Sequence, residues 1–432
     1  MAGDAGKQRW SSRLGFLMAA IGSAVGLGNL WRFPFQAGEN GGGAFVLIYI
    51  ACVFLIGYPV LIAELAIGRH KSAAAVAATP GMAARPGRSP NWQIASWFGI
   101  AMAVLVLPSY SMISGQIMAY SVMAFMGDLG AGNAPPLYGG TITSMVWFTA
   151  FLAITMAVAL RGLNKGIETA SVFLMPMFFL ILVSLAAFAL FSGAASDALA
   201  YLFTPRFDEV TPEVVLAALG QALFSLGLGG ALMITLGSFL SGDENISSNA
   251  TVIAGADTSV AIVAGLMIFP IVFAFGMNPA AGMGLIFETL PTFFAGIEFG
   301  NLIGGAFFFL AFIAALTSSI SILMVARTIG SEQFGISERN ATMLFGLLAW
   351  GGGIGIVLID GLDTLLDWLV GSVVLPLGAL TAALLAGWAA PRSLMRAELA
   401  QTSDWLFALW RGSIRYLVPL AITAIFVTGL AG

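Results

Sequence analysis

The sequence predicts an all-α polytopic membrane protein with 11 transmembrane helices. Three observations predict it. Of 432 residues, 59% are hydrophobic and only 9% charged, where a soluble domain carries about 25% charge. The apolar residues come in runs about 20 long without strict alternation, which suits membrane helices and not barrel strands. Lys and Arg sort almost wholly to one face of the membrane, as the bias that orients spans requires.

The spans are expected at 14–38, 43–69, 92–126, 141–160, 168–192, 213–241, 249–279, 298–330, 340–359, 363–389 and 412–431. The third and eighth are long for a bilayer core and imply tilt. With a cytoplasmic N-terminus, every one of the 17 Lys and Arg except Arg32 and Arg206 falls on the cytoplasmic side. An odd span count then puts the C-terminus outside. The loop after span six carries Asp243 and Glu244 and no base, which the rule tolerates because it weights bases and largely ignores acids. The first apolar run is too long for a cleavable signal and lacks a small-residue cleavage site, so it reads as a retained helix. No soluble domain fits between the spans, so 1–432 is a single membrane domain whose partner is the lipid bilayer.

Composition also narrows the function classes. A single Cys (Cys52) excludes an internal disulfide, and a single His (His70) excludes a multi-histidine metal site. No metal or nucleophile constellation supports an enzyme, and nothing points to nucleic acid. A channel would need repeated polar rings along a pore, whereas the polar residues here gather at two interrupted spans.

The first interruption reads GSAVGLGNLWRFP, from Gly22 to Pro34. Glycines, an amide (Asn29), a charge (Arg32) and a proline stand where a span should be apolar. Freed backbone at membrane depth is tolerated only where protein or a wet cavity covers it. The second lies in GQALFSLGLGGALMITLGSF, from Gly220 to Phe239, with Gly227, Gly229 and Gly230. Spans one and six hold matching positions if 1–192 and 213–389 are two five-helix halves, with 412–431 an additional helix. Interrupted segments at matching positions point to a midplane transport site. Close-packing glycines are the plainer reading, but Asn29, Arg32, Gln221 and Ser225 favour a site.

At these residues the chain resembles the neurotransmitter:sodium symporter family, whose bacterial members move amino acids. The resemblance runs in order through Arg9–Phe16, Arg32–Pro34, Glu39–Phe45, Pro59–Arg69, Gly220–Gly229, Leu316–Ile322 and Asp367–Gly371. It implies the LeuT-like fold, a five-plus-five inverted repeat with helices 1 and 6 broken. It also implies a sodium-coupled symporter, not an enzyme, in a bacterial inner membrane.

The resemblance implies two Na+ sites with the oxygen ligands a hard cation prefers. The first would use the Ala24 carbonyl, Asn29, Ser225, Asp257 and the substrate carboxylate. The second would use carbonyls of Gly22, Val25 and Ala314 and the hydroxyls of Thr317 and Ser318; such hydroxyls otherwise bond back within their own helix. Asp257 replaces the Asn of many relatives, and a carboxylate inside a span is costly unless paired or coordinated. Tyr49, Gln221 and Ser225 match the groups around chloride in chloride-dependent relatives, while Ala261 departs from them. Asp257 is therefore expected to supply the negative charge, with chloride not required; its protonation in the return step would give proton antiport.

Monoamine-transporting relatives carry Asp at Gly26, so the substrate here is expected to bring its own carboxylate, as a neutral amino acid does. Substrate would lie against Ala24, Gly26, Gly28, Val106, Tyr110, Phe224, Ser225, Gly227, Gly230, Ser318 and Ile322. Absent side chains at Gly227 and Gly230 favour a large hydrophobic or aromatic substrate; back-filling by neighbours would instead favour a small neutral amino acid. Arg32 and Asp367 are the expected outer gate above Tyr110 and Phe224. Lys7 or Arg9 with Glu332, and Trp10 as a plug, are the expected inner one; ordinary flanking charge is the alternative. Glu64 is expected to satisfy amides of a broken helix. A monomer or homodimer, and a non-transporting sodium-dependent sensor, both fit the same residues.

Overall fold

The computed structural model describes residues 8–71, 92, 94–129, 142–279, 286–287 and 290–431. Lys7 of the expected inner gate, and Arg85 and Arg88 of the cytoplasmic charge set, lie outside the described residues. The described secondary structure is helical throughout, with no strand among the described residues.

The first interrupted span is two helices, α1 (Arg13–Ala24) and α2 (Gly28–Glu39), bent by 49°. Ser12 Oγ caps α1 by accepting the Gly15 N–H at 3.0 Å, satisfying one of the donors a helix start leaves open. Extended Val25 (φ −71°, ψ 106°) ends it. The chain resumes through a π-helical turn at Gly28–Arg32. Pro34 then sits in the first turn of the following α-helical segment, where its missing N–H costs nothing.

Next come α3 (Gly43–His70), α4 (Ile94–Met126), α5 (Ile142–Leu160), α6 (Leu163–Phe191) and the short α7 (Ala195–Phe203). The second interrupted span is α8 (Pro212–Ser225) and α9 (Leu232–Gly237). The corner between them takes left-handed backbone at Gly227 (φ 63°), Gly229 (φ 87°) and Ala231 (φ 54°). Glycine enters that region freely, while Ala231 does so against its Cβ.

The remainder is α10 (Ile246–Ala274), α11 (Leu290–Gly296), α12 (Gly300–Phe334), α13 (Glu338–Leu358), α14 (Leu362–Ala389), α15 (Arg392–Glu398) and α16 (Asp404–Leu430). Among the described residues nine helices are long and apolar enough to cross a bilayer, and the α1–α2 pair makes a tenth. The expected span at 213–241 falls short of that length because the glycine corner divides it into helices of 14 and 6 residues.

Burial orders the bundle. In α12, 89% of the apolar window is inside the protein, against 17% in α16. Helix α12 is therefore the central post, and it packs along α4 and against α1, α6 and α9. Helix α16 stands at the rim. Small residues let α3 and α9 close up: a Cβ on Gly237 would lie 2.7 Å from the Leu65 carbonyl oxygen, the close approach glycine permits between membrane helices.

Candidate functional site

The two breaks meet at a fully buried polar cluster. Asn29 and Asp257 are both 0% exposed and Ser225 is 2% exposed. Asn29 Nδ2 donates to Asp257 Oδ1 at 2.8 Å, to the Asp257 carbonyl oxygen at 3.0 Å and to Ser225 Oγ at 2.9 Å. Ser225 Oγ donates to Asp257 Oδ2 at 2.8 Å, and Tyr49 OH reaches the same oxygen at 3.4 Å. Asn29 Oδ1 accepts the Gly26 N–H at 3.1 Å. Four helices, α2, α3, α8 and α10, thus meet at one carboxylate. Such a group costs several kcal/mol in isolation, and here it is held by three donors.

A second oxygen group flanks the other side of the first break. Ser318 Oγ lies 3.4 Å from both the Gly22 and the Val25 carbonyl oxygens. Thr317 Oγ1 donates back within α12 to the Ile313 and Ala314 carbonyls, both at 3.1 Å. All five residues expected at this position are therefore neighbours. The 3.4 Å separations are long for hydroxyl hydrogen bonds. They match adjacent oxygens around a cation with metal–oxygen distances of about 2.4 Å.

Between the groups the backbone is pressed close. A Cβ on Gly26 would lie 2.8 Å from Ser318 Oγ and 3.1 Å from Tyr110 OH, so a side chain there would have to displace one of them. Tyr110 OH accepts the Leu27 N–H at 3.4 Å. Phe224 lies against Gly28, its ring carbon 3.1 Å from where a Cβ would stand. Gln221 Nε2 donates to the Gly28 carbonyl at 3.0 Å, and Glu64 Oε1 accepts the Gly229 N–H at 2.8 Å as expected. Ser23 Oγ, Gln221 Oε1 and Glu64 Oε2 are buried without a hydrogen-bond partner. Orphaned polar atoms beside both breaks are what a site for ions, water and a polar ligand leaves. Val106, Tyr110, Phe224 and Gly227 are half-buried, and Ile322 is buried.

One expectation needs correcting. Gly230 does not leave an empty volume, because a Cβ there would collide with the Met102 sulfur; Gly227 does, with no atom within 4 Å of its Cβ position. Arg32 feels the charge of Asp367 without a close ion pair between them. The Arg32 guanidinium instead lies 4.2 Å above the Phe224 ring, a cation–π arrangement, with Asp367 exposed.

Comparison with known proteins agrees with this geometry. Residues 7–134 and 139–431 match the sodium:neurotransmitter symporter family. The chain belongs to that family. It is 36% identical over 442 residues to an uncharacterized sodium-dependent transporter, YhdH, of Bacillus subtilis (strain 168), covering 97% of each chain. An uncharacterized sodium-dependent transporter of Haemophilus influenzae (strain ATCC 51907 / DSM 11121 / KW20 / Rd) is 31% identical over 451 residues, with 98% of each chain covered. The crystal structure of MhsT in complex with L-phenylalanine superposes with a TM-score of 0.88 at 37% identity, covering 98% of this chain and 100% of that one. This symporter-family chain is accordingly a multi-pass membrane transporter and not an enzyme.

The N-terminal segment of the symporter-family core is tied to the bundle by several hydrogen bonds. Trp10 Nε1 donates to the Leu236 carbonyl at 3.1 Å, and Trp10 N–H to that of Phe239 at 3.3 Å. The Ser11 N–H donates to both Glu168 carboxylate oxygens, at 3.2 and 3.1 Å. Arg13 Nε donates to Asn249 Oδ1 at 2.8 Å. Trp10 is thus half-buried and tied to α9 and the residues just after it, and Arg9 and Glu332 are both exposed. Glu168, Met102 and the Leu27 amide escaped the sequence reading. The four-residue spacing of Met102, Val106 and Tyr110 was the signal for Met102; Glu168 had none beyond its place at a helix start.

Proposed function

We propose that the protein is a sodium-coupled symporter importing a neutral, large hydrophobic or aromatic amino acid by alternating access, with two sodium ions and no need for chloride. The observation that carries this reading is the buried carboxylate of Asp257, ringed by Asn29, Ser225 and Tyr49 where the two breaks meet. Three of the oxygens there point at the Asn29 amide nitrogen. Turning that amide over would add Oδ1 to them, and a cation at the centre would then satisfy the set. Asp257, Asn29, Ser225 and the Ala24 carbonyl would hold the first ion. Gly22, Val25, Ala314, Thr317 and Ser318 would hold the second.

Several features support the finer reading. The Tyr49 and Ser225 hydroxyls donate to Asp257, so the carboxylate takes the place an anion would fill. Gly26 carries no carboxylate of its own and its backbone lies close to Ser318 Oγ and Tyr110 OH, which suits a substrate that supplies its own carboxylate to sodium and to Tyr110. The superposition on a structure of MhsT holding L-phenylalanine favours an aromatic side chain. Arg32 would close above the site toward Asp367 and Phe224, while Trp10 and the N-terminal strap close it below. The two halves, 1–192 and 213–389, would rock about the fixed site in a bacterial inner membrane, N-terminus cytoplasmic and C-terminus outside.

Proteoliposomes test it. An inward sodium gradient should drive saturable accumulation of labelled phenylalanine, unchanged when gluconate replaces chloride. Binding without accumulation would reject transport in favour of a sensor, and loss in gluconate would reject chloride independence.

A further inference from the structure

Gly230 brings no side chain to the second break, yet its place is filled. A Cβ there would collide with the Met102 sulfur, and Cγ and Cε of Met102 would both lie 3.2 Å from it. The thioether therefore occupies the volume a side chain at 230 would take. Met102 is 7% exposed. It shares with Val106 and Tyr110 the face of α4 defined by a four-residue spacing, the spacing of neighbours along one side of a helix. That stripe joins the two breaks. At one end Tyr110 OH accepts the Leu27 N–H at 3.4 Å. At the other, Gly99 approaches the left-handed corner so closely that its Cβ would stand 2.8 Å from the Ala231 Cβ. Three residues before Gly230, the Cβ position of Gly227 meets no atom within 4 Å.

We propose that Met102 is the specificity-determining floor of the amino-acid side-chain pocket, a movable filler in the place of a fixed side chain at 230. The inference rests on the amino acid reading above and says which residue sets the size limit. A side chain at 230 would be held by a backbone corner whose φ angles are already constrained. Methionine on α4 is unbranched, has three rotatable bonds and adapts to irregular gaps. Its thioether closes on the Gly230 backbone around an aliphatic substrate and swings aside for an aromatic one, so one site takes hydrophobic side chains of several sizes.

Sodium-dependent binding of labelled leucine, competed by alanine, leucine, phenylalanine and tryptophan, tests the proposal. Met102→Ala should raise tryptophan affinity relative to leucine by about tenfold or more, given what a few methylenes are worth in an apolar pocket. Met102→Phe should shift the ratio the other way. Gly230→Met should lose phenylalanine and tryptophan, and the double variant Gly230→Met with Met102→Ala should regain them. Met102→Leu, near in volume but branched, should keep leucine and weaken tryptophan. If Met102→Ala or Met102→Leu binds leucine yet ranks the four amino acids as the wild type does, Met102 sets no limit and the proposal is overturned. A wild type that binds none of the four overturns the amino acid reading itself, which is a different result from an unchanged ranking.

Discussion

Asp257 concentrates the chemistry of the site in one side chain. Its oxygens take hydrogen bonds from Asn29, Ser225 and Tyr49, so the neutral variant Asp257→Asn changes charge while nearly keeping shape. Apparent sodium affinity should fall by about tenfold or more, one ligand charge being worth at least 1.4 kcal/mol in a buried site. Chloride should then raise uptake where gluconate does not; sodium titration of uptake in the two salts checks both. A second carboxylate makes a pH prediction away from the membrane core. Glu398 accepts from Arg69 Nε at 2.9 Å and pairs with His70 Nδ1 at 3.0 Å. Burial pulls the Glu398 carboxyl upward, but hydrogen bonds from His70 and Arg69 and the Arg69 charge outweigh it and hold it below the usual range. A depressed carboxylate contributes stability that is complete above its unfolded value of about 4.3 and is lost as pH falls through the lower folded value. Glu398→Gln should therefore cost about 1–3 kcal/mol at neutral pH, with the gap to wild type closing below about pH 4 in thermal melts.

At the scale of elements, the breaks depend on particular glycines and one end of the bundle on the N-terminal strap. Gly229 has φ 87° and its Cβ would run into the Leu375 carbonyl, whereas a Cβ on helical Gly220 meets nothing within 4 Å. Gly229→Ala should lower the melting temperature by the equivalent of about 1–3 kcal/mol and abolish sodium-dependent binding. Gly220→Ala should be neutral or stabilising by up to about 1 kcal/mol. Trp10→Ala removes the bond to the Leu236 carbonyl; it should speed amide hydrogen exchange in Leu232–Gly237 while leaving Gly43–His70 unchanged. Both breaks were legible in the chain, because glycine and polar residues inside an apolar run have few uses. The division of span six into pieces too short to cross alone was not, since hydropathy averages over a left-handed corner. Nor was the Ser11–Glu168 clasp, which joins residues 157 apart and leaves no periodic trace. Asp257 was legible as a misplaced charge; for Met102 only the four-residue spacing from Val106 was legible, and which neighbour fills the space beside Gly230 is decided by how closely α4 packs on the corner.

For the whole molecule, the proposed function would link sodium to substrate through shared ligands. Each elementary charge crossing 100 mV contributes about 2.3 kcal/mol, so two sodium ions carried with a neutral amino acid supply about 4.6 kcal/mol. That alone sustains roughly a thousandfold concentration ratio. Coupling of this kind requires that sodium and substrate each raise the affinity of the other by one common factor. The order of the motifs revealed the family and the helical bundle, because each motif serves a break or a close packing point. The place of the Arg32 guanidinium over the Phe224 ring was not legible, since Arg32 can lie on Phe224 or reach toward Asp367 with the same sequence. The most direct test of the shared site is equilibrium binding of phenylalanine at rising sodium, with sodium binding at rising phenylalanine, in the wild type and in Asp257→Ala. The predicted result is equal, reciprocal enhancement in the wild type that vanishes in the variant; phenylalanine binding indifferent to sodium in the wild type, or enhancement that survives in Asp257→Ala, would contradict it.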